Sequence, residues 1–205
     1  MDFRDRHVVV TGGTGALGTA VVGALVQAGA LCHVPFIVAA EAERFPLRSH
    51  AQVKLLGVPD LVEEAAVARL YEGLPELWAS IHLAGGFAMA SVGETKKKDL
   101  MAQLEMNFVT TFLCCSAAVN AMAKTGVGGR IVNVAARPGL EWRTGAGMAA
   151  YAASKAAVAA LTVALAEEVA KDGILVNAVA PSIMDTPTNR AAMPKADHAA
   201  WPKVE

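Results

Sequence analysis

Residues 7–18 read HVVVTGGTGALG, an apolar run followed by a glycine-rich turn and the start of a helical stretch. Gly12, Gly15 and Gly18 allow the backbone to turn tightly, to approach a phosphate group closely and to pack a helix against the strand before it. The helix N-terminus then faces the phosphates of a dinucleotide. Such turns also join strands to helices for steric reasons alone, so the motif favours dinucleotide binding over a plain turn without proving it.

Segments with strand and helix character alternate along the rest of the chain. Apolar runs such as IVNVA and ILVNAVA are typical of parallel strands that are covered on both faces. The alternation predicts an α/β fold: one doubly wound Rossmann-type parallel sheet with helices on both faces and a ligand site beyond the carboxyl ends of the strands. We predict strands over 7–10, 30–34, 52–56, 80–83, 130–135 and 174–180, and helices over 16–28, 60–71, 97–124 and 148–171.

The composition fits one domain over residues 1–205 and argues against several partners. The net charge of −1 gives no reason to expect nucleic acid or an acidic membrane surface. Residues 8–39 lack Asp, Glu, Lys and Arg, but their glycines and Pro35 match a membrane span poorly. The three cysteines have neither disulfide nor metal-ligand spacing, and the N-terminus does not read as a signal peptide. We therefore expect a cytoplasmic protein without a metal site.

Tyr151 and Lys155 form a Tyr-x-x-x-Lys pattern in the helical run YAASKAAVAALTVALAEEVA. Residues four apart share one face of a helix, so the Lys155 ammonium is expected beside the Tyr151 hydroxyl. A nearby cation favours the ionised phenol and lowers a pKa that is normally near 10. The pair is thus predicted to donate and accept protons near neutral pH.

Two further segments have both a functional and a structural interpretation. HLAGGF, at 82–87, leaves Ala84, Gly85 and Gly86 almost without side chains, as a flat cofactor surface requires, although Gly-Gly is also an ordinary loop dipeptide. Asn107 is a polar residue within the apolar run MNFVTTFLCCSAAV. Such a residue usually caps or bends a helix or bonds to backbone carbonyls, and a role in holding a catalytic water is compatible with that.

Taken together, these motifs resemble the short-chain dehydrogenase/reductase family over essentially the whole chain. The resemblance implies that Tyr151 exchanges the proton, that Lys155 also binds the nicotinamide ribose and that Asn107 orders a proton-relay water. It implies NAD(P)H as cofactor, a small-molecule substrate, and a homodimer or homotetramer built through the helices at 97–124 and 148–171. The cofactor-binding positions that it implies, besides Tyr151 and Lys155, are Gly12, Thr14, Gly15, Ala16, Leu17, Gly18, Asp60, Leu61, Ala84, Gly85, Gly86, Pro181, Ile183 and Thr186.

The chain departs from the family pattern at two places. The family's substrate-orienting serine is replaced, because the fifth strand ends in Ala135 and Ala136. Within the family, the chain resembles the dihydropteridine reductase branch more closely. The shared features are alanine at the serine position, GGTGALG, AGG and the segment DTPTNRAAMPKADHAAW. The sequence also stops where relatives continue into a helix and a final edge strand, so we expect both to be missing here.

The preference between NAD and NADP stays open at this point. The second strand, ALCHVPFIVAA, ends without the acidic residue that usually bonds a ribose 2′-hydroxyl. Arg44 and Arg48, in the expected next helix, either clamp a 2′-phosphate or form a solvated face. Asp60 either contacts the adenine together with Leu61, as in the family, or caps the following helix.

Two functions from different classes follow from these residues. The first is an NAD(P)H-dependent oxidoreductase that transfers hydride to a small carbonyl or quinonoid substrate, dihydropteridine included. The second is a dinucleotide-binding protein with little or no turnover, suggested by the lost serine and the short carboxyl-terminal region.

Overall fold

The computed structural model of the protein describes residues 2–204 and contains one six-stranded sheet in which every strand pairing is parallel. The strands follow the order β3-β2-β1-β4-β5-β6, so the order reverses between β1 and β4. In a doubly wound sheet the ligand crevice lies at the carboxyl ends of the two strands at this reversal. The strands are β1 (His7–Thr11), β2 (Leu31–Phe36), β3 (Val53–Gly57), β4 (Leu77–His82), β5 (Gly129–Val134) and β6 (Ile174–Val179).

Helices cover both faces of this sheet, as the sequence predicts. Successive residues of β1 point to opposite faces, so Val8 and Val10 pack with α1 while Val9 packs with α3 and α5, all three fully buried. The predicted fold class is therefore confirmed. The helices are α1 (Ala16–Gln27), α2 (Ala39–Arg44), α3 (Glu64–Glu72), α4 (Lys97–Leu104), α5 (Thr110–Thr125), α6 (Arg137–Leu140), α7 (Ala149–Val169) and α8 (Pro187–Ala192).

Several predicted boundaries are wrong, and β4, for example, begins at Leu77 rather than Ser80. Helix α3 begins at Glu64 rather than near Asp60, whose carboxylate accepts a hydrogen bond from the Val62 amide (3.2 Å) and so forms a turn instead of a helix cap. The predicted helix at 97–124 is interrupted by a π-helical segment at Glu105–Val109 between α4 and α5. Arg48 lies beyond the end of α2.

Two helical stretches, Lys97–Thr125 and Ala149–Asp172, are long and apolar enough to cross a membrane by length and composition alone. In this fold both lie against the sheet, while their outer faces expose apolar side chains such as Phe112 and Val163. The charge-free segment near the N-terminus forms β1, α1 and β2. At the far edge, Leu175 and Val179 of β6 are about half exposed, at 51% and 52%.

A chain of buried polar side chains crosses the sheet on the side of α7. The Thr162 hydroxyl donates to the Val158 carbonyl within α7 (2.8 Å), so its oxygen accepts from the Asn133 amide nitrogen (2.9 Å). The Asn133 amide oxygen then faces Nδ1 of His82 at 2.8 Å. Because that oxygen can only accept, Nδ1 of His82 carries the proton.

The direction of the remaining hydrogen bonds follows from this tautomer. Nε2 of His82 accepts from the Ser80 hydroxyl (2.8 Å), and Ser80 in turn accepts from the Tyr71 hydroxyl (2.7 Å). Burial lowers the pKa of His82 to about 4, so the imidazole is neutral near pH 7. A neutral histidine, with one donor and one acceptor nitrogen, is what this chain of bonds requires.

The buried His82 makes stability depend on pH. In the unfolded chain His82 is protonated below about pH 6.5, whereas in the folded protein it is protonated only below about pH 4. The free energy of unfolding therefore falls as the pH decreases from 6.5 to 4. Between pH 7 and pH 5, His82 contributes roughly 2 kcal/mol to this loss. His33, whose pKa burial also lowers to about 4, adds a separate share.

We therefore expect His82→Asn to lose less unfolding free energy than the wild type when the pH is lowered from 7 to 5. Urea unfolding of both proteins at the two pH values measures the difference, and the contribution of carboxylates cancels in the comparison. An identical pH dependence in the two proteins contradicts the assignment of a depressed pKa to His82.

Candidate functional site

The glycine-rich turn after β1 packs directly on the chain that follows β4. Gly12 has a positive φ of 66°, and a Cβ atom there would lie 2.6 Å from the backbone nitrogen of Ala84. A side chain at Gly18 would collide with the carbonyl oxygen of Gly12. Gly15 is the N-cap residue of α1, which places the first backbone amides of that 12-residue helix at the crevice.

Ala84, Gly85 and Gly86 form the opposite wall, and the structure explains why they are small. A Cβ atom at Gly85 would lie 2.6 Å from Oδ1 of Asn107 and 3.5 Å from Nζ of Lys155. A Cβ atom at Gly86 would overlap the sulfur of Met106. The structure therefore brings Gly85, Asn107 and Lys155 together at the carboxyl end of β4.

Asn107 is fully buried and lies in the π-helical segment between α4 and α5. Its Oδ1 accepts from the Gly86 amide (3.0 Å), while its Nδ2 donates to the Gly86 carbonyl (3.0 Å) and to the Ser154 hydroxyl (3.2 Å). Ser154 donates onward to the carbonyl of Tyr151 (2.7 Å). One amide side chain thus joins the loop after β4 to α7. π-Helical segments inside α-helices often occur at functional sites.

Lys155 is 6% exposed, and its ammonium group donates to the carbonyl of Val134 at the end of β5 (2.8 Å). Burial lowers the pKa of Lys155 to about 8. The ring of Tyr151 meets that of Phe87 edge-on, with centroids 4.9 Å apart. Tyr151 and Lys155 therefore both face the loop that follows β4.

The expected lowering of the Tyr151 pKa is wrong for the protein as it stands. Burial raises the pKa of this phenol, because a partly desolvated site disfavours the phenolate. The Lys155 ammonium that was expected to offset this effect is hydrogen-bonded to Val134. The phenol is accordingly protonated near neutral pH.

The segment after β6 reaches the same edge of the sheet. The carbonyl of Pro181 accepts from the amide of Arg137 (3.1 Å), directly after Ala136, which is 3% exposed. Thr186 is the N-cap residue of α8, and its hydroxyl oxygen accepts from the Asn189 amide (3.2 Å). Its hydroxyl proton remains a donor for a ligand. Ile183 between them is 45% exposed.

Asp60 and Leu61 follow β3, on the other side of the switch point from α7. The side chain of Leu61 is 4% exposed and belongs to the core beside Val67 and Leu70. Only its backbone is therefore available to a nucleotide. The carboxylate of Asp60 is engaged locally with the Val62 amide.

Three site features were missed by sequence reasoning. The Val134 carbonyl that holds Lys155 is a backbone atom, so no residue type marks it. Phe87 follows Gly85 and Gly86 at the end of HLAGGF, and an aromatic residue after two glycines is a usable signal. Glu41, whose carboxylate reaches Thr14 on the glycine-rich turn, is 27 residues away from it in sequence.

Four features meet at the switch point of the parallel sheet: the N-terminus of α1, the loop of small residues after β4, the buried Lys155 ammonium and the Tyr151 phenol. This combination defines a dinucleotide-dependent oxidoreductase of the Rossmann class. The residues fit the cofactor, because Gly15 is the N-cap of α1, so the first backbone amides of that helix can donate to a pyrophosphate at the crevice.

Comparisons with known proteins agree with this class. Residues 6–197 match the family model described as short chain dehydrogenase. Subunit BbsD of the (2S)-[(R)-hydroxy(phenyl)methyl]succinyl-CoA dehydrogenase of Thauera aromatica is 32% identical over 196 aligned positions, covering 91% of this chain and 76% of the relative. The 2,3-dihydro-2,3-dihydroxybenzoate dehydrogenase of Escherichia coli K12 is 31% identical, covering 93% of this chain and 74% of the relative.

Among solved structures, a putative NAD(P)-dependent gluconate 5-dehydrogenase from Beutenbergia cavernae, crystallised with NADP, superposes with a TM-score of 0.87 at 27% identity. The match covers 100% of this chain and 86% of that structure. The chain belongs to the short-chain dehydrogenase family. As a member it is an NAD(P)-dependent dehydrogenase/reductase.

Asn107→Ala tests whether the buried amide holds the site together. The substitution removes three hydrogen bonds and leaves both polar groups of Gly86 without their partner. We expect a loss of about 3 kcal/mol in the free energy of unfolding, measured by urea titration. Asn120→Ala, an exposed change on α5, is the matched control and should stay within about 0.5 kcal/mol of the wild type. Equal stability of the two variants contradicts the role given to Asn107.

Proposed function

We propose that this protein reduces a small carbonyl or quinonoid compound, with Tyr151 as the proton donor and Lys155 and Asn107 as its supporting residues. The observation that carries the proposal is the meeting of the Lys155 ammonium and the Asn107 amide at Gly85, 3.5 Å and 2.6 Å from its missing Cβ position. A buried cation at this loop would stabilise negative charge that develops on the Tyr151 oxygen or on the substrate during reduction.

The cofactor NAD(P)H, when bound, supplies the hydride. The glycine-rich turn and the N-terminus of α1 would hold its pyrophosphate, and the loop Ala84–Gly86 would lie under the nicotinamide half. Lys155 would bind the nicotinamide ribose, while Pro181, Ile183 and Thr186 would lie beside the carboxamide. Asp60 and the backbone of Leu61 would border the adenine.

The phenol of Tyr151 is protonated near pH 7 and so holds the proton to be donated, although burial raises its pKa and makes it a weaker acid than a free tyrosine. When the proton leaves, the phenolate that forms needs a positive charge nearby. Lys155, with a pKa lowered to about 8, is still mainly an ammonium at pH 7 and supplies that charge. We propose that Asn107 orders a water that returns a proton to this pair.

The residue at the end of β5 limits the substrate class. Ala136 offers no hydroxyl to a carbonyl oxygen, and Ser154 cannot replace it, because its hydroxyl donates to the Tyr151 carbonyl and accepts from Asn107. A conjugated C=N system, as in a quinonoid dihydropterin, depends less on such a donor. We therefore place a dihydropteridine-like compound first among substrates and ketones second.

The alternative of a binding protein without turnover is not favoured, since Tyr151, Lys155 and Asn107 are all present and face one loop. We further propose that residues 1–205 act as one NAD(P)-binding domain in a homodimer or homotetramer, with α4, α5 and α7 at the contact. Exposed apolar side chains on these helices support it: Leu100 (36%), Phe112 (48%) and Val163 (68%). Free buried thiols at Cys32, Cys114 and Cys115 suit a reducing compartment such as the cytoplasm.

Tyr151→Phe tests the proton donor. The variant keeps the ring that packs on Phe87 but loses the hydroxyl, so we expect turnover to fall by at least about 100-fold. Cofactor affinity, measured by fluorescence titration, should stay close to that of the wild type. Oxidation of NAD(P)H at an unchanged rate in the variant would remove Tyr151 from the mechanism.

Ala136→Ser tests the substrate class. The new hydroxyl supplies an oxyanion donor, so kcat/KM for ketones should rise about tenfold or more, while turnover of a quinonoid dihydropterin should change little. Both are measured by NAD(P)H absorbance under matched conditions. If the wild type reduces ketones as fast as the variant does and does not reduce the pterin, the preference for a pterin substrate is refuted.

A further inference from the structure

The glycine-rich turn has an acidic neighbour that the second strand itself does not provide. The Thr14 hydroxyl donates to a carboxylate oxygen of Glu41 at 3.3 Å. Thr14 lies between Gly12 and Gly15 on the turn, and Glu41 lies in the first turn of α2, just after β2. The carboxylate therefore lies where the first two strands end, beside the backbone that approaches the pyrophosphate.

The nearby arginines are directed elsewhere. The Nε group of Arg44 donates to the carbonyl of Ala40 in its own helix (3.0 Å). A guanidinium nitrogen of Arg48 donates to the carbonyl of Phe45 (3.4 Å). Among Glu41, Arg44 and Arg48, Glu41 is the residue whose charged group is hydrogen-bonded to the glycine-rich turn.

We propose that Glu41 is a specificity-determining residue that makes the protein prefer NAD(H) to NADP(H). The inference rests on the proposed function, since it concerns the adenosine side of the same cofactor. In dinucleotide-binding sheets an acidic residue near the end of the second strand accepts a hydrogen bond from the ribose 2′-hydroxyl. Ile37 and Val38 follow β2 here, and the first acidic residue after them is Glu41, which contacts the glycine-rich turn through Thr14.

Charge explains the discrimination. A 2′-hydroxyl can donate to the Glu41 carboxylate, whereas a 2′-phosphate only accepts hydrogen bonds and carries negative charge. Two negative groups within a few ångströms repel each other, and at this exposed position the repulsion is weakened by salt. The preference for the nucleotide without the phosphate should therefore shrink as ionic strength rises.

Calorimetric titration with ADP-ribose and with its 2′-phosphorylated form tests the inference without any catalytic step. The wild type should bind ADP-ribose at least about tenfold more tightly at low salt. Glu41→Gln keeps the size of the side chain and removes its charge, so the ratio of the two affinities should fall by about tenfold and lose its salt dependence. Glu43→Gln, an exposed change on the same helix, should leave the ratio unaltered.

The outcomes separate this inference from the function on which it rests. Equal affinities of the wild type for the two nucleotides, or a ratio that Glu41→Gln leaves unchanged, overturn the role of Glu41 while dinucleotide binding stands. Tighter binding of the phosphorylated form by the wild type also overturns it. Failure of the folded wild type to bind either nucleotide overturns the inference and the proposed function together.

Discussion

The site depends on one buried amide. Asn107 uses both hydrogens of Nδ2 and its Oδ1 to bind the two backbone groups of Gly86 and the hydroxyl of Ser154. Leaving this buried amide without its partners would cost more free energy than its hydrogen bonds contribute to stability. The loop after β4 and α7 are therefore held in one relative position. The π-helical segment at Glu105–Val109 places this side chain at the loop. The bonds that hold the loop after β4 are thus made within the protein itself.

The end of β5 connects this arrangement to the interior of the sheet. Asn133 belongs to the buried polar chain through His82, and the carbonyl of the next residue, Val134, accepts from Lys155. Burial lowers the pKa of both His82 and Lys155, with different consequences. The histidine becomes neutral and serves as a relay of hydrogen bonds in the sheet, whereas Lys155, which starts from a much higher pKa, still keeps its charge at pH 7. Burial thus keeps His82 uncharged within the sheet, whereas Lys155 stays cationic at pH 7 in spite of the same effect.

Features set by local chemistry were predictable from the sequence. The glycine-rich turn and the alternation of strands and helices follow from residue type and spacing, and they predicted the fold that the structure has. The face shared by Tyr151 and Lys155 follows from their spacing in the same way, and it carries the prediction of the site. Features set by tertiary contact were not. The raised pKa of Tyr151 depends on burial, and the contact of Glu41 with Thr14 depends on how α2 packs.

The most direct test of the role of Asn107 is the exchange rate of the Gly86 amide proton, measured by NMR in the protein without cofactor. The account predicts slow exchange, comparable to the amides of β4, because the proton is bonded to Oδ1 of a fully buried Asn107. Gly93, in the exposed turn that follows, provides the reference for fast exchange. A Gly86 amide that exchanges as fast as that of Gly93 would contradict the claim that Asn107 holds the site in place.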